Sequence, residues 1–186
     1  MAPNPAPGEL ELVRAFVNTW VGDEEVEHVP GPAELGAWLA DNDLLDAGAR
    51  VTPAEYRHAI EVREALRALL LANSGLDLDP EAAPVLDDAS RRARLGVRFD
   101  AEGHVHTAPD AGGVAGALGR MLGIVAAAQE DGTWPRLKAC LAADCQWAFY
   151  DRSRNRSAVW CNMQLCGNRH KVRSYRERHQ PHGLHD

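Results

Sequence analysis

Cys140-Leu-Ala-Ala-Asp-Cys145 and Cys161-Asn-Met-Gln-Leu-Cys166 hold all four cysteines of the chain, as two pairs with four residues inside each and fifteen between them. Each pair can wrap one metal ion, and two pairs supply the four thiolates of a closed tetrahedral zinc site. Gly167, directly after the last cysteine, is expected to permit the tight backbone that turns N–H groups toward the sulfurs. Two disulfides, or four unrelated core thiols, are the alternatives. Disulfides need an oxidising compartment and normally a signal peptide. Met1 to Gly8, with three prolines and no apolar run, read instead as a disordered leader. Four unrelated thiols would rarely fall within 27 residues of a 186-residue chain. Cys140, Cys145, Cys161 and Cys166 are thus the expected ligands of one structural Zn²⁺, a site with no position open for catalysis.

Trp147, Phe149, Tyr150 and Trp160 flank the two pairs. So small a module needs both the metal and an apolar miniature core, so packing is their expected role and base stacking the alternative. Between the pairs runs Asp151-Arg-Ser-Arg-Asn-Arg156. Arg152, Arg154 and Arg156 can bind phosphate bidentately or read guanine, and Asn155 can read adenine. After Cys166 the pattern predicts a helix from near Asn168 to just before Pro181, about 18 Å long. Val172, Tyr175 and His179 would face the finger, leaving Arg169, Lys171, Arg173, Arg176 and Arg178 toward solvent. Such a helix fits a major groove or lies along phosphates; the bland reading is a solvated face.

Cys145-Gln-Trp-Ala-Phe-Tyr-Asp-Arg-Ser-Arg-Asn-Arg-Ser157, Trp160-Cys161 and Cys166-Gly-Asn-Arg-His-Lys171 together resemble the CGNR zinc-finger family. In that family the finger follows a helical region called the ABATE domain, and Leu10 to Trp20, with its Phe-Val-Asn-Thr-Trp, resembles the opening of that region. The resemblance implies a bacterial, stress-induced transcription regulator whose finger binds DNA. One departure stands out. The two positions before Trp160 are usually basic in such fingers, and here they are Ala158 and Val159. That moves the expected DNA contact onto the loop and the final helix.

The net charge of −7 hides a split. Residues 1–135 carry ten basic and 23 acidic residues, a net −13; residues 136–186 carry ten basic and four acidic, a net +6. Zinc with four thiolates takes two units from the second figure and leaves about +4. Such asymmetry points to a polyanionic partner for the basic end, unless the acidic body docks against its own tail.

The elements that must position this site read as a mainly α-helical domain with a small β-hairpin, followed by the four-cysteine zinc-finger module. The expected divisions are a leader over 1–8, a helical domain over 9–134, the finger with its basic helix over 135–180 and a tail over 181–186. Leu10, Val13, Phe16, Val17 and Trp20 fall at helical spacing, and Pro32 suits the first turn of a helix carrying Leu35, Trp38 and Leu39. Thr52-Pro-Ala-Glu55 is a capping box opening a helix to about Asn73. A further helix runs from Asp79-Pro80 toward Arg94, its Arg91, Arg92 and Arg94 read as solvated. Val97 to Phe99 and His104 to Thr107 predict the hairpin. In Ala111 to Ala128 the charge at Arg120 and frequent glycines speak against a membrane span and for close core packing or dimerisation. No phosphate-cradling loop or nucleophile elbow appears, so no enzyme is expected. The expectation is a cytoplasmic DNA-binding transcriptional regulator whose N-terminal domain senses a small-molecule effector or mediates homodimerisation. An RNA-binding module, a zinc-scaffolded adaptor between proteins and a redox sensor are the alternatives.

Overall fold

The computed structural model describes residues 5–169, 171 and 172. Among them, five α-helices and three two-stranded antiparallel pairs occur. The helices are α1 (Leu10–Val17), α2 (Pro32–Asp41), α3 (Pro53–Asn73), α4 (Ala82–Ala93) and α5 (Gly113–Glu130). The pairs are β1 (Trp20–Val21) with β2 (Val26–Glu27), β3 (Leu95–Phe99) with β4 (Val105–Pro109), and β5 (Leu137–Ala139) with β6 (Ala148–Tyr150).

The sequence leads to one hairpin, β3–β4, and the other two pairs are additions. The first helix ends at Val17, and Trp20 belongs to β1. Thr19 ends the helix by donating its hydroxyl to the Phe16 carbonyl, 2.9 Å away. Asp23 to Glu25 then form the turn of the β1–β2 pair, with Glu25 left-handed at φ 52°.

Helix α3 is the central element, as its apolar stripe predicts: Ala59, Val62, Leu66 and Leu70 are wholly buried. Its start is the expected capping box. Glu55 N–H donates to the Thr52 hydroxyl and the Thr52 N–H donates to the Glu55 carboxylate. Helix α5 lies against α4 and β4 through its small residues. A Cβ at Gly119 would stand 2.5 Å from the Ala93 Cβ, so only glycine allows this approach. Arg91 and Arg92 on α4 are exposed and paired with Asp87 and Asp88, a solvated face as expected. Among the described residues, no helix is long and apolar enough to cross a membrane.

The core does not stop at residue 134. Leu137, Ala139, Ala148 and Tyr150 belong to the same buried cluster as α1, α3 and α5. Strands alternate faces, and in this pair the alternation divides two cores. Leu137, Ala139, Ala148 and Tyr150 point into the helical body; Phe149, on the opposite face, joins the cysteines.

Candidate metal centre

The first cysteine pair sits at the end of the β5–β6 hairpin. Cys140 extends the ladder by donating its N–H to the Trp147 carbonyl, and Cys145 N–H bonds back to the Ala142 carbonyl. Gln146 then takes a left-handed φ of 49°, which turns the chain around the sulfurs. In the second pair Cys161 precedes, and Cys166 lies on, one tight helical turn, Met163–Gly167, in which the Gly167 N–H reaches the Asn162 carbonyl five residues back. Asn162 opens that turn, its side-chain oxygen accepting from Gln164 and Leu165 N–H groups. Gly167 closes this tight turn without a left-handed backbone. The close packing is what requires glycine, since a Cβ there would lie 2.5 Å from the Met163 sulfur.

All four thiols are free, and their Sγ atoms lie within 4.8 Å of one another. Cys145 to Cys161 and Cys161 to Cys166 are each 3.7 Å. A tetrahedron with Zn–S bonds of about 2.3 Å has edges of about 3.8 Å, so the sulfurs stand at zinc spacing and far beyond disulfide length. Their protons tell the same story. Hydrogen bonds from the Cys145 and Cys161 thiols hold Cys140 down at about 2, while the bond with Cys140 pushes Cys145 up to about 12 and Cys161 higher still. Four thiolates cannot coexist there without a cation, and a divalent metal supplies it. Cys140, Cys145, Cys161 and Cys166 form a cluster that fits one structural zinc.

Around the metal, Phe149 is buried and Trp147 and Trp160 are half-buried, forming the expected miniature core. Tyr150 packs into the body instead.

The helical body also shapes the first pair, which the sequence did not disclose. Arg67, 2 % exposed, donates to the Gln146 carbonyl at 2.9 Å and to that of Val17 at 2.7 Å. Asn18 exchanges two bonds with the Ala148 backbone. Gly22 lets the chain pass so close that a Cβ would meet the Cys145 carbonyl oxygen at 2.7 Å.

The arginine-rich loop is anchored from beneath. Lys138 and Asp151, both buried, form an ion pair at 2.9 Å. The Lys138 ammonium also donates to the Arg156 and Ala158 carbonyls. Asp151 accepts from Ser153 and Ala158 N–H groups, and Arg136 donates to the Asp151 and Ser153 carbonyls. Arg154, Asn155 and Arg156 project from this frame into solvent. Arg152 is exposed, lies over the Tyr150 ring at 5.7 Å and donates to the Pro5 carbonyl.

Lys171 is exposed. Helical backbone follows the second pair at Asn168, Arg169, Lys171 and Val172, but Val172 is half exposed and does not face the finger as expected. Arg169 is exposed, and its guanidinium is engaged by Cys166, Asp144 and Asp23. Arg173 and Arg176, with Tyr175, Arg178 and His179, lie outside the described residues.

With this geometry established, comparison with family models is decisive. Residues 10–143 match the ABATE family, described as "Putative stress-induced transcription regulator". The chain belongs to the ABATE family. Residues 136–179 match the CGNR zinc finger. The two matches overlap over 136–143, where β5 and Cys140 lie, so the ABATE match itself runs into the zinc centre. No curated protein matches the chain.

Proposed function

We propose that this ABATE chain is a cytoplasmic, bacterial transcription regulator that binds duplex DNA through its zinc module. The observation that carries the reading is the frame beneath Arg154, Asn155 and Arg156. A buried ion pair fixes the backbone of this loop, while no partner is recorded for the Arg154 and Asn155 side chains among the described residues. Ordering a loop by its backbone and leaving its guanidinium groups in solvent lowers the entropy cost of binding a polyanion. Arg152 and Lys171, both exposed, are further candidate phosphate contacts, and the Asn155 amide would read adenine. Zinc is the scaffold and takes no part in chemistry.

The body of the regulator would sense an effector or bring two copies together. A half-open groove of about 570 Å³ between β4 and α5, lined by Val105, Thr107, Ile124 and Arg120 among others, is the place for the first role.

Salt titration against a DNA duplex tests the proposal. About four phosphate contacts give a log–log slope near −3.6, a loss of roughly 150-fold between about 50 and 200 mM salt. Asn155→Ala should relax preference at one base pair without changing the slope. Preference for single-stranded RNA over duplex would move the chain to the RNA class, and salt-independent or absent binding would leave an adaptor.

A further inference from the structure

Arg169 stands among the residues whose type suggests a nucleic-acid contact, yet its guanidinium is already committed. Nη2 lies 3.3 Å from the Cys166 sulfur and 3.7 Å from an Asp23 carboxylate oxygen, and Nη1 lies 3.3 Å from Asp144. These partners come from three parts of the molecule. Cys166 is in the second cysteine pair, Asp144 lies inside the first, and Asp23 is in the β1–β2 turn of the body. We propose that Arg169 is a positioning residue of the zinc centre, neutralising the Cys166 thiolate and bracketing both cysteine pairs to the body, and that it does not contact nucleic acid.

The chemistry favours this duty. Zinc with four thiolates carries a net −2, and Cys166 is 2 % exposed, so water does little to stabilise its charge. An arginine cannot lose its proton, and its planar fork addresses a sulfur and two carboxylates at once; a lysine offers a single point charge. The same neighbourhood is hostile to phosphate. Asp23, Asp144 and the thiolate place negative charge around Arg169, and a DNA phosphate would have to displace them. Partners of this kind orient the ligands of a metal, and their loss typically costs about 10–100-fold in affinity.

The test is competition for zinc between a chromophoric chelator and the full-length chain. Arg169→Ala should bind zinc about 10–100-fold more weakly than the natural chain, and Arg91→Ala, on the exposed face of α4, should match the natural chain. Arg169→Lys keeps the charge without the fork and should fall between, and it carries the test alone if Arg169→Ala does not fold. At saturating zinc, Arg169→Ala should keep the salt slope of DNA binding. Undiminished zinc affinity in both Arg169 variants would overturn the proposal, as would a slope flattened by about one unit in Arg169→Ala. A natural chain that takes up no zinc would refute the metal centre itself, which is a different result.

Discussion

Lys138→Met isolates the ion pair that holds the arginine loop. The ammonium has three acceptors: Asp151 at 2.9 Å, the Arg156 carbonyl at 2.6 Å and the Ala158 carbonyl at 3.0 Å. Both charged partners are buried, and removing one partner of such a pair costs about 3–5 kcal/mol, because the other is left uncompensated. Asp151 keeps two backbone donors, from Ser153 and Ala158, which soften the loss. The expected cost is therefore about 3 kcal/mol, a large share of a domain's usual 5–15 kcal/mol. Urea unfolding of zinc-loaded Lys138→Met, Asp151→Asn and the double variant measures it. The double should cost less than the two singles together by about 1.5 kcal/mol or more, since two neutral partners need no compensation. Burial alone would raise the Asp151 carboxyl, and the Ser153 hydrogen bond and the Lys138 ammonium hold it below the usual range. Titration by NMR should accordingly find Asp151 higher in Lys138→Met. A cost under about 1 kcal/mol, or strict additivity, would refute the reasoning.

Two further outcomes follow from the body. A chain ending at residue 134 loses Leu137, Ala139, Ala148 and Tyr150 from the shared core, and the Ala148 backbone to which Asn18 bonds. It should lack a cooperative thermal transition, where an independent helical domain would melt close to the full-length chain. Thr52→Ala should cost about 1 kcal/mol at pH 7 through the lost cap. The Thr52 hydrogen bonds depress the Glu55 carboxyl, so that part of the cap's contribution is present above about pH 4.3 and fades as pH falls through the lowered value. Unfolding of both proteins at pH 7 and pH 3 should show the difference shrinking in acid; a gap that widens there would contradict the assignment.

The cysteine spacing, the capping box and the apolar stripes were legible because each is a local pattern with a fixed period. What stayed hidden is non-local. Strands β1, β5 and β6 are two or three residues long, too short to show alternation, and they exist because they pair and pack. Lys138 is buried by a partner, Asp151, that lies thirteen positions on, beyond the reach of any local pattern. Arg63 and Arg67 are charged residues that a periodicity argument assigns to the surface. Both are buried, because Glu27 and Glu64 compensate them, the Thr19 hydroxyl accepts from Arg63, and the Gln146 and Val17 carbonyls accept from Arg67. Arg169 was read by type as a DNA contact, and only the fold brings Asp23 to it from 146 positions earlier.

The β5–β6 pair lends its two faces to two cores, and this imposes a reading frame. One residue inserted between Cys140 and Ala148 would invert the phase of β6. Tyr150 and Ala148 would then turn toward the sulfurs, and Phe149 would be driven into the helical body. An insertion of two residues would preserve the phase and lengthen only the metal-binding turn. Length variation in this turn should therefore be tolerated in even steps and rejected in odd ones, a parity rule that neither core would impose by itself.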